Sequence, residues 1–97
     1  MVKHIVCWKL NDAGKAHQEA LFSDLSARFH ALPGVVDGLT AIEVGQNYNG
    51  GEFDLVLLCE FTTREAEKAY QSHPAHLAVK EIVQQNVCGR VAVDYEL

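Results

Sequence analysis

The segment Phe53 to Phe61 reads FDLVLLCEF, apolar on both faces of an extended strand except at Asp54 and Glu60. Such a strand is usually covered on both sides. A chain of 97 residues holds one domain, with too few layers to sandwich a sheet between two sets of its own helices. One cover therefore comes from within the chain, and the other has to come from outside it.

Around that strand the hydrophobic period switches between two and about 3.6. Val2 to Leu10 alternates, with Val2, His4, Val6, Trp8 and Leu10 on one face and Lys3, Ile5, Cys7 and Lys9 on the other, which predicts a first strand. Asn11, Asp12 and Gly14 supply turn or cap chemistry. Leu21, Phe22, Leu25, Phe29 and Leu32 then recur at spacings of three and four, drawing an apolar stripe down a helix of about four turns that Pro33-Gly34 ends. Val35 to Val44 is β-rich, interrupted by Asp37-Gly38, and predicts a second strand. The polar loop Gln46 to Glu52 joins it to Phe53 to Phe61 as an antiparallel hairpin. Thr62 and Glu65 have capping-box spacing ahead of a helix from about Thr63 to Ser72. His73-Pro74 breaks that helix, because a proline disfavours helical geometry in the residue before it yet suits the first position of a new helix. A third helix follows from about Pro74 to Gln85. The last strand, Val87 to Tyr95, has Val91, Val93 and Tyr95 on one face.

The order β-α-β-β-α-α-β predicts an α+β, ferredoxin-like sandwich with a four-stranded antiparallel sheet, one domain over residues 1–97. Helices cover one face. The bare face is expected to carry Ile5, Cys7, Phe53, Leu55, Leu57, Cys59 and Phe61, a patch too apolar to leave in water. Pairing that face with a second copy about a two-fold axis closes a barrel between subunits. A small domain also buries a lower fraction of its surface and gains from a partner.

Charge narrows the partners. Eight Lys plus Arg against thirteen Asp plus Glu leave a net charge of -5, with the basic residues scattered, so nucleic acid is not an expected partner. The apolar run Leu55 to Cys59 is far short of the roughly 20 residues a bilayer needs, and Lys3, His4 and Lys9 interrupt the start of the chain where a secretory segment would be apolar. No membrane is expected, and the location read from these features is cytoplasmic. Cys7, Cys59 and Cys88 are an odd number without CxxC spacing, each in a predicted strand, and read as reduced core thiols.

The residues that bear chemistry gather around the helix break. Tyr70 and His73 share a helix face with Ala66 and Ala69, and His76 shares a stripe with Val79 and Val83 that turns its imidazole inward. His4 stands on the strand face of Val2, Val6 and Trp8. If helices cover that face, groups titrating near neutrality meet in an apolar cavity bordered by Trp8, suited to general acid and base work. A Tyr hydroxyl there holds a substrate carbonyl while a His moves a proton, and Asp54 is the candidate to orient an imidazole. Each residue also has a structural reading: His73 as a helix-junction cap, Tyr70 as a core aromatic, His4 as a satisfied half-buried histidine, and His76 as part of the helix break. His73 and His76 form an H-x-x-H pair, but Pro74 redirects the chain between them and no cysteine ligand is near, so no metal is expected. Gly50-Gly51 lacks the context of a phosphate cradle, and no cofactor is expected.

Several runs together carry a resemblance: Val2-Lys3-His4-Ile5-Val6, Leu32-Pro33-Gly34-Val35, Glu43-Val44-Gly45-Gln46-Asn47, Asp54-Leu55-Val56-Leu57, Tyr70 to His76 ending in HPAH, and Val93-Asp94-Tyr95. Over nearly its whole length the chain resembles the stress-responsive A/B barrel (Dabb) family. The resemblance implies a ferredoxin-like dimeric α/β barrel. Most bacterial members have no assigned activity, and the family includes plant stress-induced proteins and plant polyketide cyclases. In the cyclases a Tyr and a His on the broken helix bind the carbonyl and act as base, which match Tyr70 and His76, and a strand-one His matches His4. Where the cyclases carry a further pocket His on the third strand, this chain has Asp54. The expected function is a small-molecule pocket in a homodimer with acid/base chemistry of the cyclase or lyase kind toward a carbonyl compound. The alternative is a non-catalytic stress-response or ligand-binding homodimer.

Overall fold

Alternation in Val2–Leu10 becomes strand β1 in the structure, a computed structural model describing residues 1–97, with each even residue buried and each odd one from Lys3 to Lys9 half-buried. Asn11 accepts a hydrogen bond from the Gly14 N–H and so caps a short helix, α1 (Asp12–Ala16). The chain breaks at His17 and resumes as α2 (Gln18–His30), which buries Leu21, Leu25 and Phe29. The expected single helix is thus preceded by an extra turn.

Strand β2 spans Leu39–Gln46 rather than starting at Val35. Gly34 and Gly38 hold φ of 90° and 81°, so the stretch between them turns instead of pairing. At Gly38 the constraint is also steric, since a Cβ there would stand 2.5 Å from the Cβ of Ala66. Strand β3 covers Leu55–Phe61, leaving Phe53 outside the strand. Helix α3 (Arg64–Ser72) is capped by Thr63, whose side chain accepts from the Ala66 N–H, one residue beyond the expected Thr62. The Thr62 N–H instead bonds the Gly38 carbonyl and ties β3 to the turn before β2. Helix α4 (Pro74–Asn86) and strand β4 (Val87–Glu96) complete the chain. No helix is long and apolar enough to cross a membrane.

The strands lie in the order β2-β3-β1-β4, and every neighbouring pair is antiparallel. This is the α+β, ferredoxin-like arrangement. Core residues of α2 and α4 pack on one face of the sheet, in a single cluster of 19 buried apolar side chains.

The register corrects the expected composition of the bare face. Val2 pairs with Phe61, His4 with Cys59, Val6 with Leu57 and Trp8 with Leu55, so Leu55, Leu57, Cys59 and Phe61 lie under the helices. Their even neighbours Val56 and Leu58 turn outward beside Ile5 and Cys7, where Val91, Val93 and Tyr95 are 43%, 56% and 43% exposed. A strand apolar at both parities does not announce its inner face. Only pairing with β1, whose faces differ, decides it. The thiols diverge too: all are free, but Cys59 is buried, Cys7 half-buried and Cys88 exposed.

Candidate functional site

The helix break sets the site. His73 ends α3 in an extended conformation and its Nδ1 accepts from the Ala75 N–H at 3.0 Å, capping α4 with Pro74 in its first turn. That restart carries His76 inward, where it is 8% exposed. Its Nδ1 donates to the Tyr70 carbonyl at 3.0 Å, and its ring stacks on the Tyr70 ring at 3.9 Å between centroids. A carbonyl accepts only, so this contact assigns the proton to Nδ1 and leaves the Nε2 lone pair free. Burial lowers the pKa of His76, assisted by Lys80 and His4 and opposed by the backbone groups of Tyr70 and Gln71. The ring is accordingly a neutral base around neutrality.

His4, 3% exposed, faces the same space from β1. Its Nδ1 bonds the Asp94 carboxylate, which β4 brings directly opposite because His4 and Asp94 are register partners. Asp94 thus fills the orienting role expected of Asp54. Asp54 does not reach either imidazole: its Oδ2 accepts from the Leu10 N–H at 2.8 Å, and its N–H donates to the Trp8 carbonyl, closing the far end of the β1–β3 pair. The signal for Asp94 was present in the alternation of β4, whose even residues oppose the Val91, Val93 and Tyr95 face. Without the register it pointed to no partner.

His4, His76 and Trp8 line a cavity of about 460 Å³ between α3, α4 and the sheet. Trp8 stacks on Phe29 at 5.9 Å, and with Val6 and Leu57 these rings form its apolar wall. Gln71, Gln84, Lys80 and Arg90 give it a polar rim. His73 is not part of the wall, in agreement with its capping role.

Tyr70 also departs from the expected arrangement. It is fully buried, lies behind the His76 ring and does not line the cavity. Its hydroxyl has no hydrogen-bond partner. Burial raises its pKa, and the neighbouring Cys59 raises it further, while burial pushes the Cys59 thiol up to about 12. Both groups stay protonated, and the Cys59 sulfur comes close to the hydroxyl without meeting hydrogen-bond geometry. No group of three or more His, Cys, Asp or Glu side chains is arranged to hold a metal ion.

A sequence profile of the stress responsive A/B barrel domain matches residues 2–97. A Bacteroides fragilis protein described as dimeric, ferredoxin-like and of unknown function is 34% identical, with a TM-score of 0.88 over 99% of this chain and 95% of its own. A dimeric ferredoxin-like protein of unknown function from Thermobifida fusca is 23% identical, with a TM-score of 0.83 over 99% and 90% of the two chains. A Dabb family protein with a ferredoxin-like fold from Mesorhizobium loti is 19% identical, with a TM-score of 0.75 over 99% and 95%. No curated protein matches the chain.

Proposed function

The chain belongs to the stress-responsive A/B barrel (Dabb) family, and from that premise we propose that it is a homodimer holding a small carbonyl compound in each subunit, with His76 as the general base. One observation carries this reading: a buried imidazole, its Nδ1 held by the Tyr70 carbonyl, lines a cavity large enough for a small organic molecule. Nε2 would take a proton from the carbon next to the carbonyl. The C–H electrons pass into an enolate, and the imidazolium returns its proton to carbon or to a leaving oxygen. His4, steadied by Asp94, is the second polar group within reach of the bound molecule.

Dimerisation through the helix-free face is supported by the apolar group Ile5, Cys7, Val56, Leu58, Val91 and Val93, and by the dimeric descriptions of the Bacteroides and Thermobifida proteins. Unpaired Cys7, Cys59 and Cys88 suit a reducing compartment, which makes the cytoplasm the location in this reading.

The test is exchange of the α-protons of simple ketones and β-keto thioesters into D2O, followed by NMR. Wild type should accelerate exchange for part of the panel, and His76→Ala should lose roughly 10²- to 10⁴-fold while keeping its fold. Equal rates in both would remove the base. The walled-off Tyr70 hydroxyl favours a second reading, a non-catalytic ligand-binding homodimer, because the expected carbonyl-binding group does not touch the cavity. Ligand binding without any acceleration of exchange would decide for it.

A further inference from the structure

At the rim of the cavity stand two cations that no acidic side chain of the protein neutralises. Lys80 lies one turn beyond His76 on α4, and Arg90 lies on β4 opposite Trp8. The ion pairs of the chain are Lys3–Glu60, Arg28–Asp24, Arg64–Glu96 and His4–Asp94, and neither rim cation is in one. Two carboxylates nearby are already engaged. Asp94 is held by His4, and Glu67 accepts from the Gln71 Nε2 at 2.6 Å. In a chain of net charge -5, two unpaired cations converging from different elements on the mouth of a pocket with an apolar wall leave a positive spot in a negative surface.

We propose that the ligand of this cavity is an organic acid, its apolar body against Trp8 and Phe29 and its carboxylate at the rim between Arg90 and Lys80. The inference rests on the cavity being a ligand site and is independent of His76 acting as base. Arg90 offers a planar fork that suits a carboxylate, and Lys80 adds a mobile point charge. A carboxylate held there directs the rest of the molecule inward, toward His4 and His76. Both cations are exposed, so the attraction is open to screening by salt.

Trp8 is the only tryptophan, so its indole N–H gives a single NMR signal reporting from the cavity wall. The probes are phenylacetate and phenylacetamide, which differ in charge and hardly in shape. Phenylacetate should shift that signal with roughly tenfold higher affinity than the amide, a typical value for one charge-assisted contact. R90Q and K80Q should each narrow the gap, the double variant should close it, and molar salt should narrow it in wild type. Equal affinities for acid and amide, an acid preference that survives the double variant, or a Trp8 signal that phenylacetate does not move would each overturn the proposal. An acid preference in a protein whose α-proton exchange ignores His76→Ala removes the base and leaves this inference standing. His76-dependent exchange with no acid preference does the reverse.

Discussion

The helix-covered face of the sheet and its bare face are both apolar, yet they differ in what interrupts the apolar surface. Under the helices, Val2, Val6, Trp8, Leu57 and Phe61 surround two buried imidazoles, each with Nδ1 bonded and each beside a cavity. On the bare face, Ile5, Cys7, Val56, Leu58, Val91 and Val93 form an apolar field without a buried polar side chain, bordered by charge at Lys3 with Glu60, at Glu43 opposite Leu58 and at Lys9. Burying a polar group is costly unless it is hydrogen-bonded, so a face meant only for packing has no reason to carry one. In the proposed function, the polar groups kept inside the covered face belong to the ligand side, and the more uniform face is assigned to the subunit contact.

Substitutions on the two faces should therefore fail in different ways. Phe61, fully buried, fills the covered core. Phe61→Ala should cost about 3–5 kcal/mol of unfolding free energy in a urea titration; a loss below about 1 kcal/mol would show that this face is not the core. Val93→Asp on the bare face should leave a folded subunit and weaken the dimer by roughly a hundredfold or more, since it buries an unpaired charge. Sedimentation of the variant should find single subunits where wild type is paired, and dimers as tight as wild type would move the interface elsewhere.

Much of this contrast was legible in the sequence, and its gaps have physical causes. Strict alternation in β1 set the inward row of His4, Val6 and Trp8, and Pro74 revealed the helix break that turns His76 inward. In β3 both parities are apolar, so Leu57 and Leu58 were indistinguishable until β1 fixed the register. Asp54 stood out as the lone polar residue near the start of an apolar run, but it serves the backbone of Leu10. Asp94 lay in a strand with three apolar residues on its other face and was recognisable only once β4 had been aligned beside His4. The spacing of Tyr70 from Ala66 points it to the buried face, where it lies, while the closure of the packing around its hydroxyl is a matter of three-dimensional fit that spacing does not encode.

The buried imidazole also makes the covered face sensitive to acid. Burial holds His76 below its ordinary pKa of 6.5, so in mildly acidic solution the unfolded chain binds a proton that the folded chain refuses. This contribution is intact above that value and is lost as pH falls below it toward the folded pKa. Chemical denaturation between pH 7 and about 5 should show stability falling with acid, and His76→Gln should flatten the slope. An unchanged slope would mean that the ring is solvated. A smaller effect is expected at Tyr70, where a buried donor without a partner is a net cost. Tyr70→Phe should raise stability by about 1 kcal/mol, or roughly 4–8 °C in melting temperature. A lower melting temperature would reveal a hydrogen bond to that hydroxyl.

The free Nε2 of His76 is the point on which the proposed base depends. Long-range proton–nitrogen NMR of its imidazole just above neutrality reads the tautomer directly. A protonated Nδ1 with an unprotonated, pyridine-like Nε2 is the predicted result. A proton on Nε2, or a charged ring at that pH, would contradict it and remove the proposed base.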